Sequence, residues 1–386
     1  MINTFHRNGF TWLAYFLLAF YGSILNIIGP ITPFLKEELG LSYTISSLHY
    51  TAFAVGMLMV GLGGHWVINR IGRRRALWLG ALGLSAGALI LIAGRNPWIT
   101  IGASFTMGLV GSLILVIIPS ALADQHGQLR AVAISEGNVI ASIVSAFTPL
   151  LVGWTARLPG GWRISLALFA LMPILLWLAF RKASPPETPQ TQSASTIQKP
   201  ISSSLPAAYW IYWAALVLAV SVEFCMISWS ADYLEKHLGM IRANAALAVS
   251  AFLIGMILGR LAGSRLVQHF PIRKVVLASI LVAGAGFLMY WIPNNLVLGL
   301  VGLFVTGLGV ASLYPLIISL ALGAAQENTV AASTRATLAS GTAILALPLV
   351  LGRLADYIGI RSAYSVVLIL LVSVFLIIRF TKDHRQ

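Results

Sequence analysis

The second half of this sequence repeats the first at one fixed offset. Ala52-Phe53-Ala54-Val55-Gly56-Met57 returns 199 residues later as Ala251-Phe252-Leu253-Ile254-Gly255-Met256. The same offset carries Phe105 and Gly108 onto Phe304 and Gly307, and Pro149 and Gly153 onto Pro348 and Gly352. An ungapped duplication of this kind predicts two units built from the same succession of elements. In an apolar chain it predicts two helical bundles facing each other, with a solute site between them.

The chain is apolar. Of its 386 residues 58% are hydrophobic and only 9% are charged, against about 25% charged in a soluble domain. Apolar runs long enough to span a bilayer as helices recur twelve times. In the first half they lie at about 10–34, 44–68, 76–94, 98–122, 131–155 and 164–180. In the second half they lie at about 207–231, 244–267, 275–292, 296–322, 332–355 and 362–380. The weak alternation of a membrane β-barrel is a different pattern. The expected fold is therefore all-α: twelve transmembrane helices in two six-helix bundles, 1–180 and 207–386. Between them the polar stretch 181–206, with Ser184-Pro185-Pro186-Glu187-Thr188-Pro189 at its core, has the composition of a flexible linker.

A net charge of +14 invites a nucleic-acid reading, but its distribution points to topology. With an even number of spans both termini share one side. That side carries sixteen of the 25 basic residues and the other carries eight, with Arg260 left inside a span. The positive-inside rule then puts both termini in the cytoplasm, in the cytoplasmic (inner) membrane. Lipid headgroups are the expected anionic neighbours, and no nucleic acid is expected. Cys225 is the single cysteine, which rules out an intrachain disulfide. The first apolar run is too long for a cleaved signal and is expected to stay as the first helix.

The loop after the second run reads Asn69-Arg70-Ile71-Gly72-Arg73-Arg74-Arg75. It resembles the signature between helices two and three of the major facilitator superfamily: glycine, three residues, aspartate, arginine, any residue, glycine, two basic residues. Arg70, Gly72, Arg73 and Arg74 match; His65 stands in the glycine position and Asn69 in the aspartate position. The resemblance extends to the helix count, the duplication and the central linker. It implies gating roles for Asn69, Arg70, Gly72, Arg73 and Arg74, with hydrogen bonding rather than charge at Asn69. A degenerate second copy runs from Ser264 to Lys274. Two other family signatures are weaker: Ser104 stands where many proton-driven members have arginine, and Thr148 precedes Pro149 in the helix-five motif of drug antiporters. The segment from Glu223 to Trp229, followed by Asp232-Tyr233-Leu234, looks like members related to fucose permease and cyanate permease. Gly255-Met256-Ile257-Leu258-Gly259-Arg260 adds to that likeness, which implies a small polar metabolite.

Charge inside a span costs at least about 2.5–3.5 kcal/mol, so such a residue faces a cavity or a partner. Glu223 falls past the midplane of helix seven, where a carboxyl alternating between burial and a nearby cation can carry a proton; the other reading is a static polar anchor. Arg260 in helix eight is either a paired structural arginine or a clamp for an anionic group. Glu136 and Arg335 occupy equivalent repeat positions near the cytoplasmic ends of helices five and eleven, and a salt bridge between them is expected to close a gate. Asp232 is expected to be a solvated cap. His49, Asn26, Asn138, Tyr314 and Trp229 are further cavity candidates. For His49 the alternative is a packed, hydrogen-bonded histidine, and for Trp229 a place in the interfacial aromatic belt. The ladder Gly255, Gly259 and Gly263 fits either helix packing or a sliding contact between bundles.

The histidines are dispersed and no phosphate-binding loop is present, so no metal, ATP or other cofactor is expected, and no enzyme. The expected function is secondary active transport of a small polar metabolite, a sugar or an organic anion, by proton-coupled symport in a monomer. The rival readings are proton-driven efflux of drugs or amphipathic compounds, a uniporter, and a non-transporting membrane sensor.

Overall fold

The computed structural model describes residues 6–186, 205–324 and 329–381, which are helical almost throughout. Among the described residues, eleven helical stretches are long and apolar enough to cross a membrane, and Ser365–Phe380 is a shorter apolar helix in the place of the twelfth. In hydrocarbon only a helix satisfies its own backbone within one segment, which is why these apolar runs take that form.

The chain divides into two compact units: Met1–Leu41 with Leu48–Gln190, and Ser42–Ser47 with Thr191–Gln386. Much of the segment expected to be the linker, 187–204, lies outside the described residues. The first unit holds α1 (Gly9–Leu39), most of α2 (Tyr43–Ile71), α3 (Arg73–Ala93), α4 (Pro97–Gly111), α5 (Leu113–His126), α6 (Arg130–Thr155) and α7 (Arg163–Phe180). The second holds the first turn of α2, then α8 (Ala207–Lys236), α9 (Arg242–Leu266), α10 (Ile272–Trp291), α11 (Leu296–Val310), α12 (Leu313–Ala324), α13 (Thr329–Ala363) and α14 (Ser365–Phe380).

The repeat is carried into the helix starts. α2 and α9 begin at 43 and 242, α3 and α10 at 73 and 272, α4 and α11 at 97 and 296, and α6 and α13 at 130 and 329. It is also carried into the caps. The Asn96 side chain accepts from the Trp98 amide at 2.9 Å, and Asn295 accepts from the Leu298 amide at 3.0 Å, each satisfying a donor the helix leaves orphaned. Two expected spans, 98–122 and 296–322, are each split, at Ser112 and after Val310. A serine hydroxyl at each break reaches a neighbouring helix: Ser112 Oγ lies 3.1 Å from the Tyr21 hydroxyl, and Ser312 Oγ donates to the Gly259 carbonyl at 3.1 Å.

Within the first unit α1 packs along α6, and α3 packs on α4 and α7. Within the second, α8 packs on α13, α12 and α14, and α10 on α11. Glycine sets the closest approaches. A Cβ on Gly108 would collide with the Phe53 carbonyl oxygen of α2, and one on Gly307 with the Phe252 carbonyl oxygen of α9. The ladder on α9 has the same use: Gly255 abuts the Phe304 carbonyl, Gly259 the Leu308 carbonyl and Gly263 the Ser312 hydroxyl. These glycines pack helices inside the second unit, so the sliding-contact reading gives way to packing.

Candidate functional site

The charged residues expected inside the membrane meet in the second unit. Glu223 sits midway along α8 and Arg260 near the end of α9, two helices that pack together. Arg260 Nη2 lies 3.7 Å from Glu223 Oε1. The Glu223 side chain is 18% exposed and that of Arg260 41%. At 3.7 Å the pair is an ion contact looser than a bidentate hydrogen-bonded one. Tyr314, on α12, hydrogen-bonds Ser340 of α13 and lies within electrostatic reach of Glu223. Glu223 and Arg260 thus form one contact, drawn from α8 and α9, with Tyr314 on α12 of the same unit.

Trp229, two turns further along α8, is fully buried. Its indole N–H donates to the Pro348 carbonyl at 3.2 Å, and its ring tilts against Tyr43 with centroids 5.5 Å apart. Its polar edge and ring face are thus engaged by the protein. The Tyr43 hydroxyl is hydrogen-bonded to Asp232. Asp232 is not a solvated cap: it has no exposed surface. The reason is that α8 continues past the apolar run to Lys236, and Tyr43 covers its last turns.

Sequence reasoning also missed Asp356, which ends up as the cap of another helix. Its carboxylate accepts from the amides of Tyr43 and Thr44, each at 2.8 Å, and from the Thr44 hydroxyl at 2.5 Å. The first turn of α2 is thereby capped by a side chain from α13, far away in sequence. Removing an N-cap acceptor costs about 0.5–2 kcal/mol. Asp356→Ala is expected to lower the unfolding midpoint of the purified protein, and Asp356→Asn, which keeps one acceptor oxygen, to lower it less. A thermal melt checks the order; equal midpoints for both variants and wild type would remove the cap from the stability account.

Of the remaining candidates all but Arg335 lie in the first unit. His49 is buried on α2, with Nε2 2.9 Å from the Thr100 hydroxyl of α4. Asn26 is half-buried on α1, and Asn138 is exposed on α6. Glu136 and Arg335 each make contacts inside their own unit. Glu136 accepts from Arg7 Nη2 at 2.6 Å, Arg7 Nε at 2.9 Å and the Tyr15 hydroxyl at 3.1 Å. The cause is the packing of α1 along α6, which brings Arg7 to Glu136 in bidentate geometry. Arg335 instead sits over the Trp210 ring, 5.4 Å from its centroid, and its carbonyl accepts from the Trp213 indole at 2.9 Å.

The signature loop is tied down within the first unit. Gly72 adopts φ +84 at the turn between α2 and α3. Arg73 pairs with Asp124 of α5 at 2.5 Å, so Asp124 brings a carboxylate to a loop that has asparagine at 69. Arg74 donates to the Arg181 carbonyl at the end of α7, at 2.9 Å. Its repeat counterpart Arg273 donates to the Arg379 carbonyl at the end of α14, at 2.6 Å. A guanidinium on the last carbonyls of a helix satisfies orphan acceptors and complements the helix dipole. Arg70 lies over the Trp66 ring, 5.4 Å from its centroid, and Asn69 is exposed.

Known proteins share this architecture. The family model of the Major Facilitator Superfamily matches residues 11–241 and 211–386. The cyanate transport protein of Escherichia coli strain K12 is 22% identical over 317 residues, 80% of this chain and 79% of that protein. The glucose/galactose transporter of Brucella abortus biovar 1 is 25% identical over 390 residues, 92% of this chain and 90% of that protein. Among solved structures, a D-xylose-proton symporter superposes with a TM-score of 0.76 at 16% identity, covering 97% of each chain, which speaks for the fold alone. With family matches that together run from the first helix to the last residue, this multi-pass membrane chain belongs to the Major Facilitator Superfamily.

Proposed function

We propose that the chain is a secondary transporter that moves a small polar metabolite, a sugar or an organic anion, across the cytoplasmic membrane by alternating access, coupled to protons through Glu223. The observation that carries this reading is the loose Glu223–Arg260 contact at 3.7 Å, inside the apolar second unit. A tight bidentate pair would hold the carboxylate charged through a transport cycle. A loose pair, with the arginine half exposed, leaves the carboxyl able to exchange its proton as its surroundings change. Arg260 is then the group that meets an anionic part of the substrate or holds Glu223 charged between cycles.

The relatives support the substrate class. One is named for an anion and another for two hexoses. The bundles at 1–180 and 207–386, joined by the segment 181–206, supply the two repeats that alternating access requires. The charge asymmetry supports termini in the cytoplasm, and a monomer suffices because one chain carries both repeats. Asn26, Asn138 and His49 are the first unit's candidates for substrate contact, and Arg7–Glu136 and Arg73–Asp124 the ion pairs most open to a gating role.

The test is proton movement in proteoliposomes loaded with a pH dye and offered sugars, small carboxylates and cationic drugs in turn. A pH change that depends on a sugar or carboxylate is the expected result and names the substrate class. Tracer uptake without a pH change would make the protein a uniporter, and a response to cationic drugs alone would make it an efflux pump.

A further inference from the structure

A groove runs along the outside of the first unit between α3 and α7. It encloses about 700 Å³ and is lined by Arg74, Arg75, Trp78, Leu82, Pro173 and Trp177, among others. Pro173 is buried, while Leu82 and Trp177 are about half exposed. The two arginines occupy the first turn of α3, and the apolar residues lie further from that turn along α3 and on α7. We infer that this groove is a binding site for one anionic phospholipid, its phosphate on Arg74 and Arg75 and an acyl chain along Leu82 and Pro173.

The chemistry selects that occupant on three grounds. Basic residues at the headgroup level attract anionic lipid, each by an amount that falls away within a Debye length. The ammonium of a zwitterionic ethanolamine headgroup would face two guanidiniums instead. Among the described residues no acidic side chain lines the groove. Finally, Trp78 and Trp177 supply amphipathic rings, the side chains that settle where acyl chains meet headgroups. One donor of Arg74 is used on the Arg181 carbonyl, which fixes its guanidinium and leaves further donors for a phosphate.

The repeat supplies an internal control. The positions equivalent to Arg74 and Arg75 are Arg273 and Lys274, so the second unit keeps the charge. The positions equivalent to Trp78 and Trp177 are Leu277 and Leu376, so it lacks both rings. A site made by charge alone would occur twice; a site that needs the rings occurs once.

The full chain would be purified in detergent and titrated with phosphatidylglycerol and, separately, phosphatidylethanolamine, with bound copies counted by native mass spectrometry. One phosphatidylglycerol should be retained in preference to phosphatidylethanolamine. Arg75→Gln should weaken the first binding step by about fivefold, the loss of one surface charge. Trp177→Leu, a lipid-facing exchange to the residue the second unit carries, should also weaken it, and Lys274→Gln should leave it unchanged. Equal retention of the two lipids overturns the inference. So does a preference that survives both Arg75→Gln and Trp177→Leu, or one that Lys274→Gln weakens as much as Arg75→Gln does. If Arg75→Gln does not fold, the Trp177→Leu and Lys274→Gln pair decides.

Discussion

Glu223→Gln is expected to leave the protein folded and to abolish accumulation of substrate against its gradient. Glutamine has nearly the shape of glutamate and keeps an acceptor oxygen, so the packing of α8 is preserved. It removes the one feature the proposed mechanism needs, a group that gains and loses a proton. Deleting one partner of a buried ion pair can strand the other at a cost of several kcal/mol. Here the surviving partner, Arg260, is 41% exposed rather than sealed in the core, so the fold is expected to tolerate the change. Downhill exchange of substrate should persist, because binding and rocking need no proton. The measurement is tracer uptake under an imposed pH gradient beside counterflow without one. The variant should fail the first and pass the second. Accumulation equal to wild type would take the proton path away from Glu223, leaving it as a static anchor of α8.

The duplication was legible because it is written in the residues that set helix contacts. Gly108 and Gly307 recur at the same offset as Phe53 and Phe252, and the structure brings each glycine against the carbonyl of its phenylalanine. The breaks at Ser112 and after Val310 were not legible, because hydropathy stays high across 97–126 and 296–324 and a single serine does not interrupt it. Charged residues at span ends were misjudged for a related reason. The apolar run ends before the helix does, so Asp232 reads as solvated although α8 continues to Lys236 and buries it.

Glu136 and Arg335 occupy the same place in two units, and each has partners among its own unit's helices. Their actual partners come from packing. So do Asp124 for Arg73, Asp356 for the first turn of α2, and Glu38, which accepts from Arg163 at 2.6 and 3.0 Å and from the Trp162 indole at 2.9 Å. Each joins elements far apart in the chain, and no local pattern marks such a pair. Glu223 and Arg260 could be picked out because charge is rare inside a span. That they touch followed only once α8 and α9 were packed.

The second large effect is expected at Gly108. In a bilayer, helices gain no hydrophobic drive from meeting each other, so close backbone approach carries much of the association. A Cβ at Gly108 would meet backbone, the carbonyl oxygen and carbon of Phe53, rather than the flexible end of a side chain. Gly56 on α2 faces the Phe105 carbonyl and the Leu109 amide of α4 in the same way, so the two helices interlock from both sides. Neither backbone can yield without breaking the contact along its length. Gly108→Ala should therefore cost about 1–3 kcal/mol, the usual scale of overpacking, and Gly108→Leu should prevent folding of the first unit. Gly102 lies on the same helix with nothing within 4 Å of its added Cβ, so Gly102→Ala should be neutral or slightly stabilising through helix propensity. Gly307→Ala should repeat the cost of Gly108→Ala in the second unit. Because the two glycines share no partner residue, the double variant should lose the sum of the single losses. Unfolding midpoints of the four alanine variants decide the matter. If Gly108→Ala melts with Gly102→Ala, the close approach of α2 and α4 is not what holds the first unit together.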